Sequence, residues 1–519
     1  MQHNDLTRRA FLKNSSSHLA ALALAPALAS CQKQNTKIPS SAAPTARSQN
    51  VNDYYQRFAV DDTIIQQTLA DALASGADYA EIFFQHRIAH AIALQDGDVN
   101  RAANTVDYGA GVRVVKGDQI GYSFTETITQ KALRQAARTA ATIAQGTAPS
   151  QPVGLNLKTT PDFYPIDLSW QDAQIDKKIA WLQRANQHAF ALDNRIVKVN
   201  ISFADETNYI LICRSDGLCA ADCQPMMRAA ASCTAQQNDQ RETNFGWLSA
   251  RQGAESLHLD DADTLAHETV QRTLQLFQAV KPQGGEMPMV LGAGRSGILL
   301  HEAIGHGLEA DANRKGISIF SDNIGHKVAN EFVTIVDDAT VPHQRGSINI
   351  DDEGNTGQNT VLVQNGILKN YMHDTISAKH YRVSTTGNGR RQSFRFAPIP
   401  RMRNTYMLPG PHKKEEILQS VKKGLYAEVF TNGQVMIGAG DFTFYVKSGY
   451  LIENGKLTQP VKDVNVIGNG PDVLSKITMV ADQLELSNSG GTCGKAGQWV
   501  PVSFGLPLVK VSAITVGGA

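Results

Sequence analysis

The sequence predicts an α+β protein with two domains: an N-terminal α+β domain and a C-terminal, mainly antiparallel β domain that carries a metal-binding helix. Helical and strand patterns alternate in the first half of the chain. A Lys-Pro-Gln-Gly-Gly break at residues 281–285 ends the last long helical pattern. Asn-Gly pairs between alternating apolar residues then predict β-hairpins. With 519 residues, 42% of them hydrophobic, the chain is long enough for two or three domains.

Composition excludes several classes of protein. Lys plus Arg and Asp plus Glu each number 49, so the formal net charge is zero. Nucleic-acid binding is not expected, because no basic stripe is present to displace counterions from phosphates. Charged residues interrupt every apolar run after the N-terminus before it reaches the ~20 residues of a membrane-spanning helix. We therefore expect membrane contact only through an N-terminal lipid anchor.

Residues 1–30 have the pattern of an export signal. Arg8 and Arg9 precede a short Ala/Leu-rich stretch, which resembles a twin-arginine signal peptide. The stretch ends Leu-Ala-Ser-Cys, which resembles a lipobox with Cys31 as the lipidated residue. These features predict a periplasmic, cell-envelope lipoprotein exported by the twin-arginine pathway. One alternative is that an ordinary signal peptidase cleaves the segment nearby, without lipidation. The other is that the segment is an amphipathic helix of a cytoplasmic protein.

A flexible tether is predicted over residues 31–55, where Ser, Pro, Ala, Gln and Asn predominate. The N-terminal α+β domain follows over residues 56–283. The patterns predict helices at 61–75, 129–145, 172–192 and 261–280, strands at 79–85 and 89–94, a hairpin within 112–124, and three strands within 197–234.

The C-terminal domain is predicted over residues 284–519. Three of its Asn-Gly pairs, at Asn365, Asn432 and Asn454, each predict a hairpin turn. One helix interrupts this β pattern.

Four cysteines lie within 21 residues of one another in the N-terminal domain: Cys213, Cys219, Cys223 and Cys233. A hairpin at Asp216-Gly217 would place Cys213 and Cys219 on neighbouring strands. An oxidising envelope permits a disulfide, whereas a domain of this size also accommodates buried free thiols. The sequence leaves both alternatives open.

The interrupting helix carries a His-Glu-x3-His motif at residues 301–306. His301 and His306 are five residues apart, which separates them by ~140° on a regular α-helix, too far for one tetrahedral ion. A π-bulge brings residues five apart onto one face, and Gly305 makes such a distortion less costly. We therefore predict a bulged or kinked helix at this motif.

Glu302 is the candidate catalytic residue. Its carboxylate lies next to a proposed ligand, where it can accept a proton from a metal-bound water and deliver it to a leaving amine. The reaction class is therefore amide hydrolysis. Two histidines leave the ion short of a ligand, which either Glu309 or a distant side chain can supply.

The segment His-Glu-Ala-Ile-Gly-His-Gly-Leu-Glu-Ala-Asp at residues 301–311 closely resembles the signature of the TldD and PmbA family of metallopeptidases, and within it the TldD branch. Further matches are Asp-Tyr-Ala-Glu at 78–81, Ile-Asn-Ile-Asp-Asp-Glu-Gly at 348–354 and Pro-Arg-Met-Arg-Asn at 400–404. The segment Cys-Gly-Lys at 493–495 resembles the one that holds the family's third metal ligand. The resemblance thus places Cys493 on the ion with His301 and His306.

This resemblance implies a peptidase that hydrolyses small or unfolded peptides and holds one Zn²⁺ per chain, with another divalent metal as the alternative. It also implies a PmbA-like partner subunit, or else a homodimer. Glu309 then orients a ligand rather than binding the ion. Cys493 as a protease nucleophile is the rival role for that residue. A non-catalytic metal-binding or assembly subunit is the alternative function.

Two further features have open roles. Arg390 and Arg391 follow a Gly-Asn-Gly segment, where they contact a peptide carboxylate or serve the structure. The acidic run at residues 351–353 is either a second metal site or a turn that closes a strand.

Overall fold

The computed structural model describes residues 50–144 and 149–518. The predicted signal, Cys31 and most of the tether lie outside this part of the chain. The tether was predicted to end at residue 55, and this boundary is wrong, because helix α1 spans Val51–Phe58. Asn50 caps α1 through its side chain, and Tyr54 and Phe58 are buried in the core. Within the described residues, no helix has both the length and the apolar character needed to cross a membrane.

Within the described residues, the N-terminal half contains a seven-stranded sheet and five α-helices. The helices are α1, α2 (Asp62–Leu73), α3 (Gln130–Ala141), α4 (Ile175–Leu192) and α5 (Leu259–Gln275). The strands are β1 (Tyr79–Gln95), β2 (Asp98–Lys116), β3 (Gln119–Thr125), β4 (Asn156–Leu157), β5 (Ile196–Arg214), β6 (Leu218–Gln237) and β7 (Gln240–Ala250). Their order is β3-β2-β1-β5-β6-β4, with β7 also paired to β6.

The described part of the C-terminal half contains a twelve-stranded sheet, a separate two-stranded sheet formed by residues 389–390 and 399–400, and short helices. The helices are α6 (Ile298–Leu300), α7 (Ala310–Arg314), α8 (Thr375–Tyr381), α9 (Lys414–Gln419) and α10 (Gly470–Ser475). The strands are β8 (Gly285–Leu291), β9 (Ile335–Asp338), β10 (Asn359–Gln364), β11 (Ile367–Leu368), β12 (Gly389–Arg390), β13 (Ile399–Pro400), β14 (Asn404–Met407), β15 (Lys423–Met436), β16 (Asp441–Glu453), β17 (Lys456–Pro460), β18 (Val464–Asn469), β19 (Ile477–Leu486), β20 (Gly491–Lys495) and β21 (Gln498–Gly518).

Most pairs in this second sheet are antiparallel; β14 with β21 and β15 with β8 are parallel. The predicted turns at Asn365 and Asn454 join β10 to β11 and β16 to β17. The predicted turn at Asn432 is wrong, since this residue lies inside β15. The register between β15 and β16 shifts between Thr431 and Gln434, so the Asn-Gly pair coincides with a bulge rather than a chain reversal.

Two other predicted elements differ in extent. The strands predicted at 79–85 and 89–94 form one continuous strand, β1, because His86 and Arg87 stay in register with both β2 and β5. The helix predicted at 129–145 ends at Ala141. The chain is a mixed α+β fold with extensive sheet, as predicted.

One face of the N-terminal sheet packs against its helices, and the other meets the C-terminal half. Ile82 and Phe84 of β1 belong to the core beneath α2 and α3. Phe83, between them, points the other way and packs with Ile350 and Phe394 of the C-terminal half. Because side chains alternate between the two faces of β1, this strand contributes both to the N-terminal core and to the junction between the halves.

Candidate metal centre

The His-Glu-x3-His motif lies on a short helical segment with three kinds of turn. Helix α6 leads directly into a π-helical turn over His301–Gly305, and a 3₁₀ turn follows over His306–Leu308. The distortion predicted from the five-residue spacing is present. Buried Leu299, Leu300 and Ile304 fix the segment against the core of the second sheet.

Gly305 is required by a close approach at this turn. A Cβ atom built on Gly305 would lie 2.0 Å from the Sδ atom of Met402, which is fully buried. Only a residue without a side chain fits between the two histidines at this position.

The two histidines and Cys493 converge on one point. One ligand-type atom from each of His301, His306 and Cys493 lies within 4.8 Å of the other two. The Sγ atom of Cys493 is 3.3 Å from Nε2 of His306, and the two imidazole rings are 5.2 Å apart in a perpendicular arrangement. All three side chains are buried. The structure therefore brings together the residues predicted as ligands, including one that is 187 positions from its neighbour.

A β-hairpin presents Cys493 to the histidines. Strand β20 pairs with the start of β21, with Cys493 opposite Val500. The buried Arg401 holds this hairpin from behind by donating to the carbonyl oxygens of Cys493 (2.5 Å) and Gln498 (3.2 Å). Burial raises the thiol pKa of Cys493, but the two facing histidines lower it well below its usual value, which favours the thiolate.

Glu302 borders the cluster and keeps some contact with solvent. Its Oε2 atom is 3.7 Å from Nε2 of His306, and 18% of its side chain is exposed. Burial raises the pKa of its carboxyl group, against the opposing effect of His301 and His306. A carboxylate with a raised pKa, beside a candidate metal site, is suited to accept and return a proton.

Glu309 fixes the orientation of His306. Its Oε2 atom is 3.0 Å from Nδ1 of His306 and 2.9 Å from the Lys495 ammonium. Burial alone would raise the Glu309 pKa, but Lys495, His306 and Arg401 lower it below its usual range, so the carboxylate is charged. A charged carboxylate on Nδ1 leaves Nε2 of His306 to face Cys493, which agrees with the orienting role expected for Glu309.

The donor set fits a zinc-type ion. Imidazole nitrogen and thiolate sulfur are ligands that Zn²⁺ prefers, and three protein ligands with one open position are typical of catalytic zinc sites. Nδ1 of His301 is buried and has no hydrogen-bond partner within the described residues. The cluster is therefore able to bind a metal ion.

The remaining predicted residues are distributed elsewhere. Cys213 and Cys219 are opposite each other on β5 and β6 with their sulfur atoms 3.2 Å apart, and no disulfide joins them. Cys233 is likewise a free thiol, and Cys223 is buried. Arg391 pairs with Glu81 across the two halves, which is a structural role.

Sequence reasoning missed Lys495 and Arg401 as supports of the site. Both belong to segments that matched the family. They are far from Glu309 in the sequence and approach its carboxylate only in the fold, at 2.9 Å for Lys495 and 3.9 Å for Arg401, so the chain carries no spacing signal for them. The acidic run at 351–353 caps a turn through backbone N–H groups and a guanidinium rather than converging on one point.

A buried His-His-Cys cluster with an adjacent carboxylate, on this mixed α+β fold, is an arrangement that suits a metallopeptidase. Comparison with known proteins agrees. Residues 80–144, 169–277 and 284–518 match, respectively, the first, central and C-terminal domains of the PmbA/TldA metallopeptidases. The chain belongs to this family.

Individual relatives extend over most of the chain. The metalloprotease TldD homolog of Haemophilus influenzae is 41% identical over 448 residues, which is 85% of this chain and 93% of the relative. The zinc metalloprotease TldD homolog of Saccharolobus solfataricus is 27% identical over 85% of this chain and 97% of the relative. The crystal structure of TldE from Thermococcus kodakarensis has the same fold, with a TM-score of 0.69 and 18% identity over 88% of this chain and 99% of that one.

Proposed function

We propose that this chain is a zinc-dependent peptidase that hydrolyses small or unfolded peptides, with Glu302 as general base. The convergence of His301, His306 and Cys493 beside a largely buried carboxylate that keeps some contact with solvent carries this proposal. Zinc in the name of the Saccharolobus solfataricus relative supports the choice of ion, with another divalent metal as the alternative.

The two histidines and Cys493 would hold the ion, which supplies a Lewis acid and lowers the pKa of a water to about 7. Glu302 accepts the proton of the attacking water and delivers it to the leaving amine nitrogen, so that the amide bond breaks with the proton transferred. The raised pKa of Glu302 brings its two protonation states closer in free energy near neutral pH, which suits both transfers.

Partner and location are further parts of the proposal. The family resemblance and the shared fold with TldE support a complex with a PmbA-like subunit, and a homodimer is the alternative. The Arg8-Arg9 pair and the lipobox-like segment before Cys31 support export by the twin-arginine pathway to the periplasm and lipid anchoring at Cys31. Mass spectrometry of the mature N-terminus tests this: a diacylated Cys31 supports anchoring, and an unmodified N-terminus at any other residue contradicts it.

The decisive experiment measures metal content and hydrolysis of an unfolded peptide mixture by the full mature chain, alone and with a PmbA-like subunit. Glu302→Gln is expected to keep the metal and lose about 10²- to 10⁴-fold in rate, the range found for general bases. Cys493→Ala is expected to lose metal, whereas Cys233→Ala, which removes another buried thiol, retains it. A wild-type protein that binds no zinc and hydrolyses nothing, with or without the partner, contradicts the proposal.

A further inference from the structure

A cavity of about 560 Å³ lies between the N-terminal sheet and the C-terminal half. Gln85 on β1 and Asn208 on β5 line it from the sheet, and Thr492 and Trp499 line it from the β20–β21 hairpin. Because side chains alternate along a strand, Thr492 faces this cavity while Cys493 faces the histidines. The cavity therefore lies behind the hairpin that supplies the third ligand.

Three buried arginines line the cavity without a carboxylate partner. Within the described residues, Arg251, Arg345 and Arg390 form no ion pair, although all three are more than nine-tenths buried. Their guanidinium groups donate hydrogen bonds to backbone carbonyls and one hydroxyl: Arg251 to Arg345, Arg345 to Gly491 and to Thr492 Oγ1, and Arg390 to Met402. The buried Nε atom of Arg251 has no hydrogen-bond partner.

The other arginines of the cavity show the contrast. Arg87 pairs with Glu206 and Asp107, and Arg395 pairs with Asp107 as well. Arg391 pairs with Glu81 at 2.5 Å. The cavity thus contains guanidinium groups already neutralised by the protein and three that are not.

The unpaired arginines are in an unfavourable electrostatic environment. Burial lowers the pKa of Arg345 to about 10, and the neighbouring Arg228 and Arg251 add repulsion that Glu206 offsets only in part. Burial also lowers the pKa of Arg390 to about 9, although Asp352 offsets part of the effect. An anion placed among these guanidinium groups would offset both the loss of solvation on burial and the repulsion between like charges.

The carboxylates that line the same cavity do not fill this role. Asp352 accepts a hydrogen bond from the backbone N–H of Arg391, and Asp351 accepts bonds from Asn355 and Gly389. Burial and the carboxylate of Glu353 raise the pKa of Asp351 to about 7, which reduces its negative charge near neutral pH. Positive charge therefore remains in excess.

We propose that this cavity binds the free carboxylate end of a peptide, which rests on the proposed function in taking peptides as the ligand class. A guanidinium group binds a planar carboxylate through two parallel hydrogen bonds. The volume accommodates a few residues, and the side-chain amides of Gln85, Asn208 and Gln224 offer partners for peptide N–H and C=O groups. The site selects peptides by a free carboxylate group.

Calorimetry on the Glu302→Gln chain tests this without hydrolysis. The ligands are a tetra-alanine peptide with a free carboxylate, the same peptide as its C-terminal amide, and inorganic phosphate. We expect the free acid to bind about tenfold or more tightly than the amide, the size of one charged hydrogen-bonded contact. Displacement of the peptide by phosphate supports recognition of the anionic group.

Second-site variants locate the binding. Arg345→Gln and Arg390→Gln should each remove the preference for the free acid, and Arg345→Lys, which keeps the charge, should retain part of it. Arg184→Gln, which removes an arginine on the surface of the N-terminal half, should leave the preference unchanged. Equal binding of acid and amide, an unchanged preference in both glutamine variants, or binding of phosphate but not peptide overturns the inference. Hydrolysis by the wild type together with any of these results leaves the proposed function standing.

Discussion

The molecule has one cluster of buried polar groups between its two halves and another in the C-terminal half. The two clusters differ in how their charges and electron-pair donors are arranged. Between the halves, Arg113 bridges Glu81 (2.8 Å) and Glu353 (2.6 Å), all three fully buried. At the metal centre, His301 and Cys493 bring electron-pair donors together instead. Charges that neutralise each other hold the halves together, whereas converging donors suit a cation. Stability and metal binding should therefore respond to different substitutions.

Removing the bridge should have the largest effect on stability. Arg113→Met leaves Glu353 without its guanidinium partner in a buried position, which should lower the free energy of unfolding by about 3–5 kcal/mol. Urea denaturation of the metal-free protein measures the change. The control Arg184→Met breaks an exposed pair with Asp263 and should have a far smaller effect. Equal effects of the two variants would show that the buried bridge does not stabilise the junction.

The pH dependence of the junction gives the next largest effect. Burial and the neighbouring Glu353 raise the pKa of Asp374 from 3.8 to about 6, so the folded chain holds this proton more tightly than the unfolded chain. Its stabilising contribution is present below about pH 4 and is lost as the pH rises through 6. Asp374→Asn keeps the cap on Ser377, since Asn caps helices as well as Asp does.

This variant should therefore gain stability over the wild type by up to about 3 kcal/mol above pH 6, and nothing near pH 4. Thermal unfolding across that range, in the presence of a chelator, measures the difference. A difference that is the same at all pH values would contradict the assigned titration.

At the candidate metal centre, a substitution in the π-helical turn tests whether zinc binding depends on the backbone geometry of that turn. Gly305→Ala places a methyl group against the Met402 sulfur, and the resulting overpacking should cost about 2 kcal/mol and weaken zinc binding. The double variant Gly305→Ala/Met402→Ala should recover zinc affinity, and Met402→Ala alone is the control. If Gly305→Ala binds zinc with the full affinity of the wild type, the close contact between residue 305 and Met402 is not required for zinc binding.

The smallest expected effect concerns the charge behind His306. Lys495→Met removes the ammonium that holds Glu309, which should weaken zinc binding about tenfold through His306. Lys510→Met, a lysine on β21 that contacts Ser420, should leave the affinity unchanged. Competition with a chromophoric chelator measures both. If Lys495→Met binds zinc as tightly as the control variant, the Lys495–Glu309 pair does not contribute to zinc affinity.

The local features of the metal centre were largely predictable from sequence. The five-residue interval between His301 and His306 predicts the π turn, because the helical geometry leaves few other ways to put both on one face. Of the three Asn-Gly pairs that were predicted to be hairpin turns, two are turns in the structure. The third failed because the type of turn depends on the register of β15 with β16, which one strand does not specify.

The contacts between the halves were not predictable in this way. Glu81 and Arg113 lie on neighbouring strands, but Glu353 is 240 residues from Arg113, and no local pattern joins them. The role of Arg391 stayed open for the same reason, since its partner Glu81 is 310 positions away. Cys493 was identified through family resemblance alone. Long-range pairing of buried charge is set by the packing of the two sheets, not by periodicity.

Strand β21 gives the metal centre a place in the order of folding. It begins at the hairpin of Cys493 and then pairs with β14, β19, β8 and β18, so it runs through the sheet beneath the histidines. His306 is synthesised 187 residues before Cys493. A nascent chain therefore carries two of the candidate ligands long before the third, and the cluster is complete only once the hairpin of β20 with β21 has formed.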